Sequence, residues 1–315
     1  MPIPILLLLA LPGSGKSELR RYLDLLDESQ CRELGLGPTV QLDDYPYVAL
    51  MRSMSRTLAA LGREPVFFPS DELPFIDAHD WLTLIHLLNE DHLSVIDGLA
   101  WPEDPGRWMI ERLDRARNLA GVPALTEGLG REATAALAEA SRAPASDIAA
   151  ALVHQRCTED STIVVEFARG GPRDSTMPFA HPRGYVHSLA ALSPAILDHA
   201  AALYIRVTPE QSRTKNLERA RPDGEGSILH HGVPETVMDR DYGTDDFLWL
   251  LETSDRHGAL RVEKDYRAHH VPAAVFDNRE DLTTFLRDDP EIWPADMVTA
   301  LHSRLQAALG ALSTR

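Results

Sequence analysis

A chain of 315 residues with 44% hydrophobic and 25% charged residues has the make-up of an ordinary globular protein, which excludes fibrous and disordered classes. Its formal charge of −17 repels a phosphate backbone over most of the surface and so argues against general binding to DNA or RNA. Two cysteines, Cys31 and Cys157, fit neither a disulfide framework nor a zinc pattern and point to a reducing compartment, by default the cytoplasm.

The chain opens on an apolar run, residues 3–10, that lacks a basic n-region and is far too short to span a bilayer. Residues 3–9 read as a buried strand. Four further short apolar runs, 39–42, 162–167, 202–207 and 273–276, each lead into turn chemistry or an acidic residue. Near-continuous hydrophobicity is the pattern of strands covered on both faces, and helical stretches lie between them. The expected fold is α/β: a doubly wound, mostly parallel five-stranded sheet flanked by helices, in a single domain spanning 1–315. Residues 45–160 interrupt the rhythm as a mainly helical insertion suited to substrate recognition. Ser70-Asp71-Glu72 is expected to open a helix carrying Trp81, Leu84, Ile85 and Leu88 on one face. Residues 105–119, 130–141 and 146–157 read as three more helices, and 93–96 before Asp97-Gly98 as a short strand.

The first strand runs into Ala10-Leu11-Pro12-Gly13-Ser14-Gly15-Lys16-Ser17 and then into a helical segment, the context that a P-loop requires. Glycines let the backbone curl so that successive N–H groups face phosphates at a helix N-terminus. Gly13, Ser14, Gly15, Lys16 and Ser17 are therefore candidate ATP-binding residues, with Lys16 on the β- and γ-phosphates and Ser17 on Mg²⁺. The usual first glycine of the motif falls at Ala10, which is tolerable where that position does not need positive φ.

The second strand ends in Asp43-Asp44-Tyr45, just where residues line the ligand crevice of a parallel sheet. A hydroxyl nucleophile needs a proton acceptor there, and one carboxylate suffices. Capping of the following helix is the structural alternative. On the P-loop, this acidic run and the basic segment after the fourth strand, about a quarter of the chain, the sequence resembles the P-loop kinases, particularly the branch with uridine kinase and nicotinamide riboside kinase. The resemblance implies Asp43 as the catalytic base with Asp44 in reserve, and Tyr45 beside them as a substrate contact.

Glu166 ends the third strand as an acid that holds Mg²⁺ should, with Asp97 its rival and an ion pair with Arg169 the structural alternative. Some nucleoside kinases show a similar Glu-x-Arg-like strand end, and Arg169 is a candidate substrate contact. After the fourth strand, residues 208–235 resemble a lid that brings arginines to the transferred group. Arg213 and Arg219 fall loosely on one side of its helix and are its catalytic candidates, with Arg221 toward the nucleotide. His230 and His231 fit no zinc spacing and read as surface loop. In the related kinases the loop after the last strand borders adenine, which makes Asn278 a candidate for the base, unless it is an Asx turn.

These residues compose a Mg-ATP-dependent phosphotransferase acting on a hydroxyl of a small molecule, with a nucleoside-like or sugar-like acceptor fitting the resemblance. An ATPase or nucleotide switch is the second class, weakened for GTPases by the lack of an Asn-Lys-x-Asp motif. A polynucleotide 5′-kinase is the third. It would use Arg107, Arg112, Arg115 and Arg117, but interleaved acids make these a solvated helix face.

Overall fold

The structure, a computed structural model, describes residues 2–155, 157–219 and 232–313. Strand β1 (Ile5–Leu9) lies inside the sheet, with β3 (Thr162–Phe167) parallel on one side and β4 (Ala200–Arg206) parallel on the other. β2 (Thr39–Asp43) pairs outside β3, and β6 (Arg267–Asp277) outside β4, both in parallel. A sixth strand, β5 (Ala259–Lys264), runs antiparallel to β6 and closes the order β2-β3-β1-β4-β6-β5.

The sheet is thus six-stranded and mostly parallel, not five-stranded, and its last strand is 11 residues long where four were expected. The hairpin between β5 and β6 turns through Asp265 (φ 50°) and Tyr266 (φ 61°), positive-φ positions where Asn-Gly is the usual signal. β5 itself exposes Arg261 and Glu263 on one face, so its composition reads as polar loop.

Successive residues of β1 point to opposite faces, and each face meets its own apolar layer. Ile5, Leu7 and Leu9 pack against α3 (Tyr45–Ala60), α4 (Asp80–Asp97), α5 (Pro105–Leu119) and α6 (Gly130–His154). Leu6 and Leu8 pack against α1 (Lys16–Asp24), α2 (Glu28–Glu33) and the closing helix α12 (Ala295–Ser313). Between them in sequence come α7 (Gly184–Ala191), α8 (Pro194–Leu197), α9 (Pro209–Arg219), α10 (Glu235–Asp241) and α11 (Phe247–Thr253). Among the described residues no helix is long and apolar enough to cross a membrane.

The insertion is helical as expected, with its elements differently cut. Ser70-Asp71-Glu72 opens no helix, because Pro74 has no N–H to give the Ser70 carbonyl four residues before it; α4 begins at Asp80. Residues 93–96 are the last turn of α4, and Asp97 is exposed at that helix end, away from any strand end. The helices expected at 130–141 and 146–157 are one, α6, which runs through Pro144. Its buried stripe, Leu137, Ser141, Ala145, Ile148 and Leu152, is continuous across the proline, and α5 approaches so closely that a Cβ on Gly106 would lie 2.0 Å from the Ala138 carbonyl. Packing along the whole length outweighs the one hydrogen bond the proline removes.

Candidate functional site

Residues 10–17 join β1 to α1 with positive φ at Gly13 (70°) and Gly15 (103°), the latter capping the helix. Their carbonyls are tied outward. Tyr185 Oη donates to the Ala10 carbonyl (3.1 Å), Ser14 Oγ to Leu11 (2.7 Å), Ser212 Oγ to Pro12 (2.7 Å) and Asn278 Nδ2 to Ser14 (2.7 Å). With these carbonyls engaged, the N–H groups that open α1, which a helix leaves without internal partners, are the loop's donors for an anion. Ala10 is not among the positive-φ residues, so alanine costs nothing there. Lys16 folds back over the loop, Nζ lying 3.3 Å from the Ala10 carbonyl and 3.4 Å from that of Leu11. Burial lowers its pKa, with Glu166 opposing.

The carboxylates meet at the neighbouring strand ends. Asp43 and Glu166 are register partners across β2 and β3, so their side chains leave the same face of the sheet. Ser17 Oγ donates to Glu166 Oε1 (3.3 Å), while Glu166 Oε2 is buried without a hydrogen bond among the described residues. Burial raises Glu166 to about 6, against the pull of Arg20. Arg20 is the residue that sequence reasoning missed: its Nη1 lies 2.6 Å from Asp43 Oδ2 and 3.4 Å from Glu166 Oε2, bridging both acids. Burial opposes its charge, but Glu166 and Asp43 outweigh that and raise its pKa. The signal was present, since Arg20 stands at i+3 from Ser17 on the same face of α1.

Asp43 also accepts the Tyr45 N–H on Oδ1 (2.9 Å), so the capping alternative is met by one oxygen of Asp43, while Asp44 at the cap position makes no capping bond. Asp44 instead pairs with Arg169 Nη1 (2.6 Å), which corrects the alternative pairing of Arg169 with Glu166. Arg169 is fully buried, donates to the Trp81 carbonyl through Nη2 (3.1 Å) and lies over the rings of Trp81 and Phe167. It ties β3 to the insertion and does not line the cavity described below. Burial raises the Asp44 pKa, with Arg169 opposing.

Helix α9 buries Ser212, Lys215, Asn216 and Arg219, an i, i+3, i+4, i+7 stripe. Lys215 and Arg219 therefore share a face, and Arg213, expected beside Arg219, lies off it and pairs with Glu210 (3.0 Å). Arg219 comes close enough to Lys16 to lower its pKa, whereas Lys215 holds Asp281 (2.8 Å). Arg221, His230 and His231 lie outside the described residues. Asn278 is completely buried and braces the loop: Nδ2 reaches the Ser14 carbonyl and Thr283 Oγ1 (2.8 Å), and Oδ1 accepts the Leu282 N–H (2.7 Å). Its amide is spent on the protein, so the Asx-turn alternative describes it better than a base contact.

A cavity of about 120 Å³ opens on this cluster. Lys16, Ser17, Asp43, Asp44, Glu166 and Arg219 line it together with Tyr45, Val48, Phe68, Trp81, Val237 and Tyr242, with Arg52 among them. A second, more open cavity of about 450 Å³ lies toward Gln41, Tyr47 and α6 and shares Ser17 and Asp43. The insertion is fastened beside it by a buried network in which Arg112 donates to Asp91 (2.6 Å), Glu90 (2.8 Å) and Tyr47 Oη (2.9 Å). Arg117 likewise pairs with buried Asp80 (2.9 Å). Two of the four α5 arginines are thus core ion pairs, not members of a solvated face. Arg107 and Arg115 pair with Glu111 and Glu90.

Among the described residues no group of three or more His, Cys, Asp or Glu side chains is placed to hold a metal ion. No protein-family model matches the chain, and no curated protein matches it in sequence.

Proposed function

We propose that this chain is a Mg-ATP-dependent phosphotransferase that moves the γ-phosphoryl group to a hydroxyl of a small molecule. One observation carries the reading: Lys16, Ser17, Asp43, Glu166 and Arg219 all line one cavity, together with the apolar side chains of Val48, Phe68, Trp81 and Val237. Phosphoryl transfer asks for positioning and charge stabilisation, and a pocket with a large apolar share of wall beside the phosphate cradle suits an organic acceptor better than bulk water. A nucleotide switch has no use for such a pocket.

In this reading the N–H groups of 13–17 and Lys16 hold the β- and γ-phosphates. Ser17 and Glu166 fit the protein's share of a Mg²⁺ site, because this ion takes one or two protein oxygens and completes its shell from phosphates and water. Glu166 Oε2, which accepts no hydrogen bond among the described residues and lies 3.4 Å from Arg20, is suited to that role. Mg²⁺ supplies charge neutralisation on the phosphate oxygens. Asp43 accepts the hydroxyl proton as the acceptor oxygen bonds to the γ-phosphorus and the bond to the β-phosphate breaks, releasing ADP. Arg20 holds the Asp43 carboxylate in place, while Arg219 offsets charge on the transferred group. Asp44 is the weaker candidate for base, because its partner Arg169 is fully buried and anchors it to the end of β3.

Lys16→Ala should abolish triphosphate binding, measured by titration of a fluorescent ATP analogue. Asp43→Asn should retain binding and lose at least a hundredfold in acceptor-dependent ADP release. Strong ADP release that no alcohol acceptor stimulates would overturn the reading in favour of an ATPase.

A further inference from the structure

The cavity's size and wall chemistry narrow the acceptor, resting on the phosphotransferase reading above. A cavity of about 120 Å³ is of the order of the ~150 Å³ apolar cavity that accommodates one benzene molecule. It is a space for one ring, and a nucleoside carries two ring systems. The body of the wall is aromatic and aliphatic, with Phe68, Trp81, Tyr242, Val48 and Val237, and among the described lining residues there is no Asn or Gln to read the edge of a base. A sugar would turn several hydroxyls toward these apolar faces and leave them unpaired, which is a strong ground for rejection.

Arg52 is the cation set among these apolar lining residues. Its guanidinium lies 4.0 Å from the centre of the Phe68 ring, and Nη1 donates to the carbonyls of Ser70 (3.1 Å) and Asp71 (2.6 Å). Two hydrogen bonds and the ring contact fix its orientation, and among the described residues Nη1 alone makes its hydrogen bonds. The Nε and Nη2 donors remain for a planar oxyanion, the partner a guanidinium fork matches best. Burial lowers the Arg52 pKa, with Asp71 opposing.

We infer that the acceptor is a single-ring aromatic alcohol bearing a carboxylate: the ring lies among Phe68, Trp81 and Tyr242, the hydroxyl faces Asp43, and the carboxylate meets Arg52. Because Trp81 lines the site, its fluorescence reports occupancy without nucleotide.

The test titrates the full chain with 4-(hydroxymethyl)benzoate, 4-methylbenzyl alcohol, ribose and adenosine, following tryptophan quenching, and then assays each with labelled ATP. The benzoate should bind at least tenfold more tightly than the uncharged alcohol, and ribose and adenosine more weakly than either. Arg52→Gln should erase the benzoate's advantage and leave 4-methylbenzyl alcohol unchanged; the comparison of probes on the wild-type chain stands even where the variant does not fold. With ATP, the benzoate should become a phosphate ester on its hydroxymethyl oxygen. Equal affinity for the charged and uncharged rings, or tighter binding of adenosine or ribose, overturns the inference. Phosphorylation of ribose but not of the ring probe also overturns it while sparing the phosphotransferase reading. Selective binding of the benzoate with no transfer to any alcohol upholds the ring site and overturns that reading instead.

Discussion

Adding one methyl group at Gly15 tests how tightly the loop is held from behind. A Cβ there would lie 2.2 Å from Thr283 Oγ1, 2.9 Å from Asn278 Nδ2 and 3.0 Å from Thr283 Cβ, all on side chains that are themselves buried. Its φ of 103° adds backbone strain of about 1–2 kcal/mol for any L side chain. Ordinary contact begins near 3.4 Å, so Thr283 must yield by more than an ångström, and overpacking of that kind costs about 1–3 kcal/mol. Gly15→Ala should therefore lose about 2–5 kcal/mol, a large part of the ~5–15 kcal/mol that a natural domain has. Equilibrium urea unfolding measures it. Thr283→Ala removes the nearest atom at the expense of its bond from Asn278, about 1 kcal/mol alone. In the double variant the steric part should relax while the backbone strain remains, so the double should be less destabilised than the sum by about 1–2 kcal/mol. A Gly15→Ala protein within ~0.5 kcal/mol of wild type, or singles that add within that margin, would refute the account of how the loop is braced.

Arg20→Gln leaves Asp43 and Glu166 side by side without their shared cation, and should lower stability by about 1–3 kcal/mol in the absence of divalent ions. Added Mg²⁺ should raise the melting temperature of this variant more than that of the wild type. Arg169→Met strips buried Asp44 of its partner and should cost about 3–5 kcal/mol in urea unfolding, part of it recovered in Arg169→Met/Asp44→Leu. Asp245 reports on pH. Burial raises it to about 6, although Tyr204 Oη donates to Oδ2 (2.7 Å). The folded form thus holds the proton more tightly than the unfolded one, and the stability it contributes is full below pH 4 and lost as pH climbs to about 6. At ~1.4 kcal/mol per pKa unit the loss is at most about 3 kcal/mol, and Asp245→Asn should flatten that slope in unfolding curves taken from pH 4 to 7.

The parallel core was legible because strands buried on both faces must be apolar throughout: β3 stands at Thr162–Phe167 as expected, and α5 begins on Asp104-Pro105 as expected. Legibility failed where tertiary contact overrode local signals. Pro144 is a helix breaker by any local rule, yet α6 continues because its stripe packs along α5 on both sides of the proline. The β5–β6 hairpin escaped because its turn carries Asp265-Tyr266 in place of glycine, and because an edge strand has one wet face and so no apolar run.

For the site, chain-local chemistry was readable and pairing was not. The motif placed Lys16, Ser17 and the strand-end acids together, since all lie at or beyond the carboxyl-terminal part of adjacent parallel strands. Which arginine serves which acid depends on helix register to within one residue. Arg213 and Arg219 differ by six positions, about 600° at ~100° each, whereas Lys215 and Arg219 differ by four and fall on one side. The buried face of α9 follows from the backbone of that helix pressing on Gly13, where a Cβ would meet the Ser212 carbonyl at 2.8 Å and the Asn216 nitrogen at 3.0 Å. Contact there sets the rotation of α9, and the rotation turns Arg219 inward and Arg213 toward Glu210. Gly13 is thus required twice: its positive φ shapes the loop, and its missing side chain lets the helix seat that aims the arginine. A larger residue at Gly13 should misplace Arg219 as well as distort the loop, and an Arg219→Gln change added to Gly13→Ala should cost triphosphate affinity less than it does in the wild type.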